Sequence, residues 1–444
     1  MGFLDKLFNF GNSEKDSDNS LETNAIRMGR YSDNNKTVEK TQKWYDAEDL
    51  YKEKKYFEAI EIFFDYLKDD IENNVILTKI ENEYTFDIYQ GTKIVKGKIT
   101  EKEVTAWVSL AKMEKASTPV MRRLLEMNFT LFYARYALKD DTLCMLFDTS
   151  IDIASPNKLY YGLKEIATKA DKQDDLLVND FATLQAVDNL HVEMFSDNEK
   201  EVKYKYFQFW IESTLKNMED LNQDSFSGGI AYTLLALLYK IDFLITPEGK
   251  LLNELEKIID LYWLNKENKT AVERNQLLKD GLQKLLAWEK EEVLKYFYRA
   301  KATFAVTVPK PHAVVADAIK AVLENMLWYK DNKHPNIANA VMEYGLSYCQ
   351  YSYSLPNVTT DLFTLFMHIN YPSYFQELRF NEKYYLHNQF ETQKINNKIN
   401  KLILSNLDKY PLLKFNTESL SYNTLVDFNQ SFLNQILQLN FENK

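Results

Sequence analysis

The spacing of hydrophobic residues changes character inside one stretch of the chain, Tyr84 to Asp175. It opens with strand-like alternation through Tyr84, Phe86, Ile88 and Ile94, about a turn at Gly91. A helical run over residues 103–128 follows, then two strand-like runs at 129–138 and 142–151, then a helix from Ser155 onward. Alternation at period two marks a half-buried strand and a period near 3.6 marks a helix, so this stretch predicts an α+β module. In it, Trp107, Leu110, Met113 and Leu124 of the middle helix are expected to cover the apolar sheet face. Phe132 and Tyr136 share one face of the second hairpin and Tyr133 points to the other.

On either side the pattern is helical. Residues 41–68 read as helix, tight turn, helix, with Trp44, Ala47, Leu50 and Tyr51 on one face and Phe57, Ile60, Phe63, Phe64 and Leu67 on the next. Beyond residue 181 helical runs fall at 204–215, 230–244, 251–264, 272–288, 291–304, 313–329, 337–353, 361–370 and 381–404. Turn signals such as Ser227-Gly228-Gly229 and His334-Pro335 separate them, and Phe428, Phe432 and Leu433 suggest one more helix in the tail. Residues 11–37 hold too few apolar side chains to offset the entropy of ordering and read as a flexible linker. Ahead of it, Phe3, Leu4, Leu7 and Phe8 form a small amphipathic hook over residues 1–10. Such a hook either docks on its own protein or captures a partner or membrane surface.

Two resemblances refine this division. Ala47 to Tyr51 followed by Tyr56 to Ile60 resembles a single tetratricopeptide-like helix pair, and residues 38–70 are read as a helical hairpin. The element order of residues 71–180, with the helix end Arg123-Leu124-Leu125-Glu126-Met127-Asn128, resembles the YbjN-like and type III secretion chaperone-like module. That resemblance implies a curved antiparallel sheet carrying helices on one side, no enzymatic activity, and binding of extended segments of partner proteins, often as a homodimer. The expected fold is mostly α with this central α+β module, followed by a large antiparallel helical domain over residues 181–444.

Composition narrows the function. A net charge of -11 and a pI of about 5.2 argue against a nucleic-acid partner, which needs a basic face. Cys144 and Cys349 stand far apart and offer neither a disulfide framework nor paired metal-ligand spacing, which fits a cytoplasmic protein. Gly229 to Ile245 is apolar but carries Lys240 and Asp242, and reads as a buried helix and no transmembrane segment.

No catalytic pattern emerges. Of His191, His312, His334, His368 and His387, none has a second histidine at metal-binding helical spacing. Gly228-Gly229 lacks the lysine and hydroxyl residue of a phosphate loop, and Ser109-x-x-Lys112 stands without companion motifs. Asp171, Asp174 and Asp175 fall within about one helical turn, ordinarily a solvated face, though such a run could hold a cation or meet a basic partner.

The sequence therefore predicts a non-enzymatic, protein-binding adaptor or scaffold with no cofactor and no metal. Its partner-binding candidates are Phe3, Leu4, Leu7, Phe8, Phe132, Tyr133 and Tyr136. A structural subunit of a larger secretion or defence assembly is the alternative, and an enzyme of unrecognised type in the helical domain a third.

Overall fold

A computed structural model describes residues 26–442 except 31, 70, 188–191, 265, 301, 305 and 306. The hook residues Phe3, Leu4, Leu7 and Phe8, and His191, lie outside the described residues. The chain is 57% helical, with 15 helices and a central antiparallel sheet of 7 strands among the described residues.

The sheet comprises β1 (Val75–Ile80), β2 (Glu83–Gln90), β3 (Lys93–Ile99), β4 (Glu103–Lys112), β5 (Arg135–Lys139) and β6 (Thr142–Ser150). They lie in the order β1-β2-β3-β4-β6-β5, and the short β7 (Gln185–Ala186) pairs with the end of β4. One face is core: Phe86, Ile88, Val95, Val104, Val108 and Phe147 are buried against a long helix, Pro156–Asp180. Ser155 caps that helix by accepting from the Lys158 amide, and Pro156 occupies its first turn, where a missing N–H costs nothing. The helix settles on the sheet at Gly162, where a Cβ would lie 2.5 Å from the Phe147 ring. The expected helical hairpin is present as Val38–Lys52 and Tyr56–Leu67, with Ala47, Phe63 and Phe64 buried.

Three expectations fail here. Residues 103–128 are not one helix: β4 comes first, then a helix at Thr118–Asn128 with proline in its first turn. Leu110 sits where the β4–β6 register slips, so Leu110 and Ala111 are buried in succession and the alternation is broken. That slip gave the strand a helix-like spacing. Trp107 in consequence is a strand residue on the open face, whereas Leu110, Met113 and Leu124 are buried as expected. Residues 129–134 are a turn, and only Arg135–Lys139 forms the strand.

The remaining chain forms a helical body with its own core, including Phe207, Leu238, Phe243, Val341, Phe366 and Phe432. The tail helix appears at Leu425–Leu437. The apolar stretch Ser227–Ile245 is long enough to cross a membrane, but 83% of its most apolar window is packed inside the fold. Two expected helices are shorter. Residues 291–304 yield only Lys290–Leu294, after which Tyr298–Arg299 pairs as a strand with Glu193–Met194. Residues 381–404 begin with a hairpin, Tyr385–Leu386 against Gln389–Phe390, turned by His387 and Asn388 at positive φ before the helix Thr392–Leu404.

The end of the expected flexible linker is pinned. Gly29 donates to the Phe243 carbonyl at 2.9 Å, and Arg30 binds Asp242 at 2.8 Å and Glu248 at 2.7 Å. Ser32 donates its amide to Thr303, and Asp33 pairs with Lys409 at 3.1 Å. Its polar residues meet partners from far along the chain, which composition alone does not reveal.

Candidate functional site

The most exposed aromatic residues of the sheet module lie in the turn between Asn128 and Arg135. Phe129 is 93% exposed and Phe132 91%, with Leu125 on the preceding helix at 63% and Tyr133 at 40%. Ordinary loops that expose such side chains are free to fold them away, but this one is fixed. The Glu165 carboxylate, on the long helix beneath, accepts from the amides of Phe132 (2.9 Å), Tyr133 (2.7 Å) and Ala134 (2.8 Å). Thr130 donates its hydroxyl to the Met127 carbonyl at 2.7 Å. Asn128 accepts from the Tyr136 amide at 2.7 Å and donates to its carbonyl at 3.4 Å. The result is a braced loop presenting two phenyl rings to solvent.

The three candidates in this region thus separate. Phe132 and Tyr133 are on the exposed loop; Tyr136 is buried in the core, its hydroxyl pKa driven up by burial. Phe132 and Tyr136 do not share a strand face, because the strand begins only at Arg135. Phe129 and Leu125, missed in the sequence, join the loop because the helix runs on to Asn128. The Asn128 amide also occupies the outer backbone edge of β5 at Tyr136, which blocks strand addition at that point.

The open face of the sheet begins three residues beyond Phe132. Arg135, Leu146, Trp107 and Lys96 lie side by side across β5, β6, β4 and β3. Arg135, Leu146 and Trp107, with Ser109, Cys144 and Asp148, line a shallow trough of about 450 Å³. Arg135 pairs with Asp148, leaving Trp107 (40% exposed) as the large apolar side chain of the trough.

The acidic run on the long helix is not a solvated face. Asp171 sits beneath the Gly91 turn, accepting from the Thr92 amide at 2.8 Å and from Gln90 at 3.2 Å. Gly91 has φ +53, and any Cβ there would collide with the Asp171 carboxyl. Asp174, fully buried, pairs with Lys93 at 3.1 Å and accepts from the Thr92 hydroxyl at 2.9 Å. Asp175 accepts from the Tyr298 hydroxyl at 2.8 Å. Asp171 and Asp174 therefore fasten the helix to the β2–β3 turn, and Asp175 ties it to the helical body through Tyr298. Burial, then the neighbouring Asp175 charge, pushes Asp174 up to about 7 against the pull of Lys93. Burial likewise raises Glu248, to about 8, where one guanidinium serves two carboxylates. No group of three metal-ligating side chains occurs among the described residues.

Two of the described histidines pack inside the fold, while His387 is exposed in its hairpin turn. His368 stacks on Phe375 at 4.3 Å, its pKa lowered to about 4 by burial, and His312 bonds to the Ile436 carbonyl at 2.9 Å. Cys144 and Cys349 are buried free thiols. No family model matches this chain, and no curated protein matches it.

Proposed function

We propose that this chain is a non-enzymatic adaptor or scaffold that holds a partner protein at the braced aromatic loop and the adjoining sheet face. The observation that carries this reading is the combination at Phe129 and Phe132: side chains more than nine-tenths exposed on a backbone held by side-chain hydrogen bonds. An exposed apolar patch is costly to maintain, and pre-organisation lowers the entropy lost on association. Trp107 and Arg135 extend the surface with residue types that anchor protein interfaces. The resemblance of this module to secretion chaperones points the same way. The test is a native pull-down with the full chain, with Phe129→Asp/Phe132→Asp, and with residues 1–10 deleted. A protein retained by the wild type and by the deletion, but lost from the folded double variant, supports the loop. Equal retention by all three removes the loop from the account.

A further inference from the structure

A second site lies in the helical body, remote from the aromatic loop. A cavity of about 530 Å³ opens between four helices, Asp197–Glu219, Ser227–Lys240, Pro335–Ser352 and Asn357–Asn370. Its wall is apolar at Met218, Leu221, Leu237, Ile337 and Leu425, and its floor is a buried charged cluster. There Lys240 Nζ donates to Tyr371 Oη at 2.8 Å and lies 3.3 Å from Glu343, while Tyr371 donates to the other carboxylate oxygen. The ammonium also sits over the Tyr371 ring at 4.2 Å and the Trp210 ring at 4.9 Å.

Two features suggest more than a structural ion pair. A buried pair of this kind is often no more stabilising than apolar side chains of the same volume, yet here it floors a cavity of ligand size. Directly after Lys240 the helix widens into a π turn over Ile241–Ile245, a distortion frequent at functional sites. Lys240, just before the turn, lines the cavity, and Asp242, within it, binds Arg30. The sign of a ligand suited to this cavity follows from the lining. Lys240 donates to Tyr371 and pairs with Glu343, so the floor holds one cation and one carboxylate. Glu343 is already engaged by Lys240 and Tyr371, and the rim adds Lys333.

We infer that this cavity binds a small organic carboxylate, its acid group on Lys240 and its apolar body against Leu237 and Ile337. The test is calorimetric titration and thermal melting of the full chain with sodium benzoate and sodium hexanoate. Sodium phosphate and sodium chloride serve as salt controls. Expected is a saturable rise in Tm of about 2 °C or more with at least one carboxylate and with neither control. Binding should weaken at least ten-fold in Lys240→Met/Glu343→Gln, which removes the charges while leaving Tyr371 an acceptor. Ala340→Phe, which fills the cavity without touching Lys240, should abolish binding and decides the matter if the double variant does not fold. No binding by the wild type, a rise matched by phosphate, or binding unchanged in the folded variants would overturn the inference.

Discussion

Glu165→Ala isolates the brace from the rings it presents. Glu165 accepts three backbone N–H groups at 2.7 to 2.9 Å, all from the turn that carries Phe132. Hydrogen bonds to a charged acceptor contribute about 1.5–3 kcal/mol each when buried. Two of these bonds are exposed and the third is only part-buried, so water replaces the lost acceptor and about 0.5–1 kcal/mol for each of the three is the appropriate scale. The sum is about 1.5–3 kcal/mol of local stability, a factor of roughly 10–100 in the opening equilibrium at about 1.4 kcal/mol per decade. Amide hydrogen exchange reads that opening directly. The amides of residues 132–134 should exchange about 10–100-fold faster in Glu165→Ala, while those of the β4–β6 pairing change little. Partner affinity should drop although Phe129 and Phe132 are intact, since a loosened loop must be re-ordered on binding. Unchanged protection at residues 132–134 would refute the claim that Glu165 holds the loop.

Other consequences are separable. Phe132→Asp should leave the melting curve within about 0.5 kcal/mol of wild type, whereas Tyr136→Asp, which places a charge in the core, should cost about 3–5 kcal/mol. Arg30→Ala strands Asp242 and Glu248 without their shared cation and should cost about 3–5 kcal/mol, read by denaturant midpoint. Asp174 and Glu248 are raised in the folded chain to about 7 and about 8. Between roughly pH 4 and those values the folded chain keeps protons that the unfolded chain releases, so stability is greatest at the acid end and falls as pH rises through the window. The urea midpoint should accordingly be higher at pH 5.5 than at pH 8, with the difference reduced in Asp174→Asn.

The fold class was legible because long apolar stripes such as those on Pro156–Asp180 and Leu425–Leu437 keep one period throughout. Strand β4 was hidden by its own irregularity: the extra residue at Leu110 turned an alternating face into a helix-like one. Asp171, Asp174 and Asp175 read as solvated because composition carries no record of Lys93, Thr92 and Tyr298, which reach them from distant elements. For the candidate site, the aromatics at 132 and 133 were found and their setting was not. The brace depends on Glu165, thirty-odd residues away, and on Asn128 turning back to Tyr136. Lys240, Glu343 and Tyr371 meet only once two helix ends have converged on the middle of Pro335–Ser352, and no spacing along the chain signals them.

The central claim is that the braced loop is where a partner sits. It is tested most directly by placing a photo-crosslinking residue at Phe132 in the full chain and, as a control, at Ile71, which is 81% exposed on a different part of the module. Crosslinking in native lysate should give a discrete adduct from position 132 that is absent from position 71 and is lost when Glu165→Ala is added. Equal labelling from both positions, or no adduct from position 132, would contradict the account.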